Sequence, residues 1–218
     1  MEVLEHDILI VGGGAAGLRA AIEAAEIGKK SSTPPSIALI SKVYPVRSHT
    51  VSAEGGAAAV LREYDSPDLH IQDTLRGSDY LADQDAVELF VKAAPQEIIQ
   101  LEHWGCPWSR DEDGRISARA FGGMSVKRTF YASDKTGFHM LDSIFQTMLK
   151  YHSVACYNEW FVTSLLMDGD KVRGVIAMEM ATGILRMITA KAVLLATGGA
   201  GRIFPFTTIG AIVTGDGM

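Results

Sequence analysis

The sequence predicts an α/β fold in which helices flank a parallel sheet and three further strands form an antiparallel meander. The chain opens with an apolar run over residues 7–11, a glycine-rich turn and a helix-forming run over residues 18–25, the order expected of a buried parallel strand followed by a helix. From residue 160 the pattern changes to β-rich runs over 161–167, 172–180 and 184–189, separated by turns that contain glycine. A buried apolar strand over 192–196, ending at another glycine turn, then returns the chain to the parallel sheet.

The composition predicts a folded protein with a substantial core. Of the 218 residues, 47% are hydrophobic and 21% are charged, which argues against disorder. A net charge of −6 without a long run of Lys or Arg gives no electrostatic case for a nucleic-acid partner. No apolar run approaches the length of a membrane span and no signal peptide is visible. With two cysteines and no predicted metal site, we expect a soluble chain in a reducing, cytoplasmic compartment.

The first glycine-rich turn has the pattern G-x-G-x-x-G. It is formed by Gly12, Gly13, Gly14, Ala15, Ala16 and Gly17. Glycines at these spacings allow a sharp turn and let a pyrophosphate approach the N–H groups at the start of the helix. The pattern alone is weak evidence and also fits a simple glycine-rich turn, but its place between a strand and a helix favours a Rossmann-like dinucleotide site.

The second predicted strand, residues 37–41, ends without the residue that NAD sites usually carry. An acidic side chain near this point commonly binds the adenosine ribose. Here the strand ends at Ser41 and Lys42, which disfavours a freely exchanging NAD.

The next segment carries a resemblance to a known family. It reads Arg47-Ser48-His49-Thr50-Val51-Ser52-Ala53-Glu54-Gly55-Gly56 and resembles the flavin-attachment segment of the flavoprotein subunit of fumarate reductase and succinate dehydrogenase. In that family the histidine of Ser-His-Thr is bonded to the 8α-methyl group of FAD, and the matching position is His49. A neutral imidazole is a competent nucleophile for such a bond. The alternative is a buried structural histidine. The resemblance also implies FAD contacts from Ser48, Thr50, Glu54, Gly55 and Gly56.

Glu54 bears on the direction of the reaction. In the family, bacterial fumarate reductases tend to carry Glu at this position, whereas many succinate dehydrogenases carry Gln. The resemblance therefore favours a reductase, and the alternative is that Glu54 only hydrogen-bonds the backbone.

The middle of the chain is predicted to be helical, around residues 73–85 and over 85–104. Because Pro95 lies inside the second pattern, we expect a kink or a break into two helices. The later segment Phe121-Gly122-Gly123 resembles a family segment beside the dicarboxylate, which implies that Phe121 lines a substrate pocket. The alternative is that Phe121 belongs to the core.

Four further places are predicted to contact FAD. They are Ser41 and Lys42 at the end of the second strand, Phe161 and Val162 at the start of the meander, Ala196, Thr197 and Gly198 in the second glycine turn, and Asp216 in Thr-Gly-Asp-Gly. The second glycine turn matches the Ala-Thr-Gly-Gly motif found where many FAD proteins return to the cofactor, and Asp216 would accept hydrogen bonds from hydroxyl groups of the cofactor.

The resemblance runs from about residue 7 to residue 218, but members of the family are longer. It implies that residues 1–218 form the first segment of one FAD-binding domain, with a meander at about 160–190 and the capping domain absent. We therefore expect a fragment whose catalytic acid and dicarboxylate clamp lie beyond residue 218.

The function implied by the resemblance is electron transfer through covalent FAD. An iron–sulfur subunit would supply electrons for the reduction of fumarate to succinate in anaerobic respiration, or the reverse reaction would run. Membrane-anchor subunits and, indirectly, the quinone pool would be partners, and the chain would lie peripherally on the cytoplasmic side of the inner membrane. The alternatives are a succinate dehydrogenase flavoprotein, a non-catalytic FAD-binding fragment, or a non-covalent relative such as L-aspartate oxidase.

Overall fold

The computed structural model describes residues 2–218, and the elements that the sequence predicts occur in the predicted order. The strands are β1 (Val3–Val11), β2 (Ile37–Ser41), β3 (Ala57–Ala58), β4 (Ala118–Arg119), β5 (Thr129–Phe130), β6 (Val154–Asn158), β7 (Trp160–Asp168), β8 (Lys171–Glu179) and β9 (Ile184–Leu195). Four of these strands, β3, β4, β5 and β6, are not predicted by the sequence. The helices are α1 (Ala15–Gly28), α2 (Pro67–Gly77), α3 (Gln84–His103) and α4 (Thr136–Met148), with short 3₁₀ turns at Pro45–Arg47, His49–Ser52 and Gly201–Ile203. No helix within the described range is long and apolar enough to cross a membrane.

The chain forms two compact units. The first comprises the described residues up to Thr50 together with Ile144–Met218, and the second comprises Val51–Ser143. Each unit has its own sheet.

The sheet of the first unit has six strands in the order β6-β2-β1-β9-β8-β7. Strands β6, β2, β1 and β9 run parallel to one another, and β9, β8 and β7 are antiparallel. The predicted parallel sheet and three-stranded meander are confirmed.

Strand β9 corrects two details of the prediction. The runs 184–189 and 192–196 form one strand rather than two, because its first half pairs with β8 while Met187–Leu195 pairs with β1. The ladder with β1 keeps the backbone extended through Ala190 and Lys191, which lie between the two runs. The predicted burial of the second run is also wrong: Leu194 and Leu195 are 43% and 49% exposed, because the described residues leave this end of the strand uncovered.

The core of the first unit lies on both faces of this sheet. One face buries a cluster from four strands: Leu9, Val11, Ala38, Ile40, Val175, Ala177, Ile188 and Ala190. The other face is covered by α1, whose buried stripe includes Leu18, Ala21, Ile22 and Ala25. This stripe has the spacing expected of an amphipathic helix on a sheet.

The second unit contains a small antiparallel sheet, in the order β3-β5-β4, together with α2 and α3. The sequence did not predict this sheet because each strand has only two residues. Helix α2 begins earlier than predicted, at Pro67, after the N-cap Ser66, whose hydroxyl accepts a hydrogen bond from the Leu69 N–H. Helix α3 is one continuous helix with Pro95 inside it, so the predicted break is wrong. The helix continues through Pro95 because its residues on both sides of the proline are buried: Val91, Ala94 and Ile98.

Candidate cofactor site

The first glycine turn is built for close backbone packing. Gly12 follows β1 with φ +120°, and a Cβ atom at this position would lie 2.1 Å from the Ala196 carbonyl oxygen. A Cβ atom at Gly17 would lie 1.9 Å from the Gly12 carbonyl oxygen. Both positions therefore require glycine, which confirms the close packing predicted for the G-x-G-x-x-G pattern.

The turn leaves the start of α1 open to an anion. The N-cap residue is Gly14, which supplies no side-chain hydrogen bond to the helix, and the first turn holds no acidic residue. The Ala15 N–H donates a hydrogen bond to the Thr50 hydroxyl at 3.2 Å. Because the N–H groups and the dipole at a helix N-terminus favour negative charge, this end of α1 is suited to a pyrophosphate.

Ser48, His49 and Thr50 lie beside this helix start. A Cβ atom at Gly14 would lie 3.5 Å from the Thr50 hydroxyl oxygen and 3.7 Å from the Ser48 hydroxyl oxygen. The Ser48 hydroxyl is buried and has no hydrogen-bond partner among the described residues. A buried polar group without a partner is uncommon and is satisfied when a polar ligand binds. The residues therefore fit the phosphate and hydroxyl groups of a dinucleotide.

His49 begins a 3₁₀ turn and is only partly buried among the described residues. Its ring packs against the backbone at Gly210, where a Cβ atom would lie 2.8 Å from the imidazole Nδ1 atom. This close approach limits the movement of the imidazole ring on the Nδ1 and Cε1 side.

The end of β2 brings two predicted cofactor residues together. The Lys42 ammonium donates to the Thr214 hydroxyl at 2.6 Å and forms an ion pair with Asp216. Burial acts to raise the pKa of Asp216. Hydrogen bonds from Lys42 and Thr214 lower this pKa by more than burial raises it, so the net pKa lies below its ordinary value. Asp216 is therefore a carboxylate at neutral pH and an acceptor for ligand hydroxyl groups. Its link to Lys42 was not predicted.

Ser41 and the second glycine turn complete the edge of the sheet. The Ser41 side chain is buried, and a Cβ atom at Gly13 would lie 2.7 Å from its hydroxyl oxygen. Gly198 has φ +82°, and a Cβ atom at Gly217 would lie 2.0 Å from the Thr197 hydroxyl oxygen. The turns after β1, β2 and β9 therefore lie together at the carboxyl ends of parallel strands, where ligands bind in open α/β sheets.

Phe161 and Val162 lie at the start of β7, where Val162 packs against the sheet core. The preceding strand, β6, ends at Asn158, which is the register partner of Ser41. The Asn158 side-chain oxygen is buried without a partner among the described residues. Asn158 is thus a candidate that the sequence missed, because its only signal is its place opposite Ser41 in the sheet.

In the second unit, Arg119 fastens the backbone that carries Glu54 and Gly55. Its Nε and Nη2 atoms donate to the Gly55 carbonyl oxygen at 3.0 and 2.6 Å, and Nη2 also donates to the Glu54 carbonyl oxygen at 2.7 Å. The guanidinium stacks 4.5 Å from the centre of the Tyr131 ring. The Glu54 side chain is exposed, and the described residues give it no hydrogen bond. The alternative in which this side chain bonds the backbone is therefore not supported.

Phe121 packs on the same backbone. A Cβ atom at Gly55 would lie 2.7 Å from the Phe121 Cζ atom, and one at Gly56, where φ is +124°, would lie 2.4 Å from the Phe130 carbonyl oxygen. The Phe121 side chain is 51% exposed. Phe121 is therefore not part of the core formed by the described residues.

Known proteins resemble this chain over its whole length. It is 58% identical to the fumarate reductase flavoprotein subunit of Mycobacterium tuberculosis over 214 residues, which are 98% of this chain and 36% of the relative. It is 44% identical to the succinate dehydrogenase flavoprotein subunit of Rickettsia bellii, with 99% of this chain and 37% of that protein covered. A solved structure of E. coli quinol fumarate reductase superposes with a TM-score of 0.94 at 53% identity, over 100% of this chain and 37% of that one.

The chain thus spans somewhat more than a third of the length of the relatives that it matches. The family model described as the FAD binding domain matches residues 7–218. This chain belongs to that FAD-binding domain family and is similar throughout to the N-terminal region of fumarate reductase and succinate dehydrogenase flavoprotein subunits.

Proposed function

We propose that this chain binds FAD covalently through His49 and belongs to a flavoprotein subunit that reduces fumarate to succinate. The observation that carries the proposal is the position of Ser48, His49 and Thr50 beside the start of α1. Ala15 donates to Thr50, and the Ser48 hydroxyl is buried without a partner. The glycine turn over residues 12–17, together with the start of α1, is here called the cradle. An imidazole at its edge is well placed to hold the cofactor permanently.

FAD bound in this cradle supplies hydride-transfer chemistry. The residues of the chain bind and orient it. The N–H groups at the start of α1 take the pyrophosphate, while Asp216 and the Ser48 hydroxyl take hydroxyl groups. Ser41, Lys42, Glu54, Gly55, Gly56, Phe161, Val162, Ala196, Thr197 and Gly198 are proposed to complete the contacts. Phe121, exposed and packed on Gly55, contributes an apolar wall to the dicarboxylate site.

The preferred direction is reduction. The chain is 58% identical to a fumarate reductase subunit and 44% identical to a succinate dehydrogenase subunit, and Glu54 is exposed with no hydrogen bond to the described residues. A carboxylate that is free of protein partners is available to alter the flavin potential or to handle protons. Succinate oxidation by the same site is the second candidate.

The partners follow from the relatives, which are named as subunits. We propose an iron–sulfur subunit as electron donor and membrane-anchor subunits that connect the enzyme to the quinone pool. The protein would lie peripherally on the cytoplasmic side of the membrane.

The test uses the complete protein in its complex. Fumarate reduction is measured with a reduced viologen as donor, and succinate oxidation with an artificial acceptor. The proposal predicts turnover in both assays with faster fumarate reduction. Faster succinate oxidation would assign the oxidative direction, and FAD binding without turnover in either assay would contradict the proposed activity.

A further inference from the structure

The second unit buries a cluster of three charged side chains, here called the Arg128 cluster: Arg128, Asp65 and Asp73. Their side chains are only 1%, 1% and 3% exposed. Arg128 donates from Nε and Nη2 to the two oxygens of Asp65, at 2.9 and 2.8 Å. Its Nη1 atom donates to Asp73 at 2.6 Å. Asp65 alone therefore satisfies the guanidinium fork in the bidentate geometry that arginine prefers.

Asp73 adds a second buried carboxylate and leaves the cluster with one more negative than positive charge. Arg76 approaches it only to 3.9 Å and is itself largely exposed. His70 is buried nearby, but burial and then Arg128 lower its pKa, so it contributes no charge at neutral pH. Because two buried carboxylates share one buried cation, Asp73 depends on hydrogen bonds from outside the cluster to offset the cost of its burial.

The remaining bonds of Asp73 go to one residue. The Ser125 N–H donates to Asp73 Oδ2 at 2.8 Å, and the Ser125 hydroxyl donates to Oδ1 at 2.5 Å. Burial acts to raise the pKa of Asp73, but these bonds and Arg128 lower it, with a net shift below the ordinary value. Asp73 is therefore ionised, and its bonds to Ser125 are charge-assisted.

Ser125 directly follows residues 120–124, here called the Phe121 loop. The other end of this loop follows Arg119, which is fastened to the Glu54 and Gly55 carbonyl oxygens. Between the two attachments lie Gly122 and Gly123, where a Cβ atom would meet nothing within 4 Å. The loop is thus held by charged groups at its two ends, and its two glycines lie in open space between them.

We propose that Asp73 is a positioning residue for the dicarboxylate site, which acts through Ser125 to hold the Phe121 loop in place. The proposal rests on the function proposed above, in which Phe121 lines that site. Helix α2 carries Asp73 and is itself anchored by its N-cap and by the edge-on contact of His70 with Phe90 of α3. The buried cluster therefore gives the loop a rigid reference point, and its loss would weaken substrate alignment without affecting FAD attachment.

The test compares Ser125→Ala with Ser78→Ala in the complete enzyme within its complex. Ser78 is a matched control because it directly follows α2, and its hydroxyl donates to the Leu75 carbonyl oxygen at 2.8 Å and accepts from the Ala82 N–H at 3.3 Å rather than bonding to Asp73. Because misplacement of a group that aligns the substrate lowers the rate, Ser125→Ala is expected to lower kcat/KM for fumarate by roughly tenfold. Covalent FAD content and Tm stay equal to those of Ser78→Ala, and Ser125→Thr, which keeps the hydroxyl, restores activity.

A double-mutant cycle with Phe121→Leu shows whether Ser125 acts through Phe121. In the Phe121→Leu background, Ser125→Ala is expected to have little further effect on kcat/KM. An undiminished effect there, an unchanged kcat/KM in the single variant, or a loss that follows Tm equally in Ser125→Ala and Ser78→Ala would each overturn the proposal. Absence of fumarate turnover in the unmodified enzyme would instead overturn the function on which it rests.

Discussion

The cradle at the start of α1 and the Arg128 cluster solve the problem of placing polar groups inside a protein in opposite ways. The cradle is made of backbone. Gly12 and Gly17 lie so close to carbonyl oxygens that no side chain fits there, and the N-cap residue of α1 is a glycine without a capping side chain. The cluster is made of side chains, three of them charged and almost fully buried. The first arrangement leaves polar groups free for a ligand, whereas the second uses nearly all of them internally.

The difference indicates where each region is vulnerable. Added bulk damages the cradle because its function depends on empty space. Removal of one charge damages the cluster because the remaining charges lose their partners. Substitutions should therefore show that the cradle is sensitive to added side-chain volume and that the Arg128 cluster is sensitive to the loss of a charge.

The largest effect is expected at Arg128. Arg128→Met leaves two buried carboxylates without their cation and should lower the free energy of unfolding by about 3–5 kcal/mol, measured by urea unfolding. The control is Arg173→Met, since Arg173 forms an exposed ion pair with Asp168, and its loss should cost less than about 1 kcal/mol. Similar costs for the two variants would show that the cluster is not an integral part of the folded second unit.

The next effect is expected at Gly12. Gly12→Ala combines an unfavourable positive φ with a Cβ atom 2.1 Å from the Ala196 carbonyl oxygen and should cost roughly 3 kcal/mol, with loss of FAD from the purified protein. Gly77→Ala is the matched control, because a Cβ atom there meets nothing within 4 Å. Full FAD content in Gly12→Ala would contradict the close packing of the cradle.

A smaller effect is expected at Thr50. Thr50→Val keeps the size of the side chain but removes the acceptor of the Ala15 N–H bond, and should cost about 1 kcal/mol, as the loss of a helix cap does. Thr163→Val serves as a control, since Thr163 is exposed and its hydroxyl donates to the Ile176 carbonyl oxygen at 3.1 Å, away from any helix start. Equal unfolding midpoints for the two variants would indicate that Thr50 does not support the helix start.

The smallest effect at neutral pH concerns Cys106. Burial raises the pKa of this thiol from its ordinary value of 9.0 to about 12. The folded state therefore keeps the thiol neutral, and its contribution to stability is complete below about pH 9 and is lost as the pH rises toward about 12. Cys106→Ala should show a shallower fall in denaturant midpoint above pH 9 than the unmodified protein. The native thiol should not react with a disulfide reagent near neutral pH, and rapid labelling would show that it is accessible.

The same contrast explains how much could be predicted from the sequence. The strand, glycine turn and helix around Gly12 were predicted because the signal lies in adjacent residues, and strand 37–41 was predicted to the residue. The bond from Arg128 to Asp73 joins residues 55 positions apart, and nothing local marks it. The two-residue strands, the unbroken helix through Pro95, the continuous β9 and the place of Asn158 opposite Ser41 likewise depend on distant packing partners.

Covalent attachment of FAD to His49 is tested most directly by mass spectrometry. Trypsin cleavage after Arg47 and Arg62 releases residues 48–62 as one peptide. From the complete protein in its complex, this peptide is predicted to carry the flavin, with fragmentation assigning it to His49, and a His49→Ser variant should lose the modification. An unmodified peptide together with tightly bound but extractable FAD would contradict the covalent link.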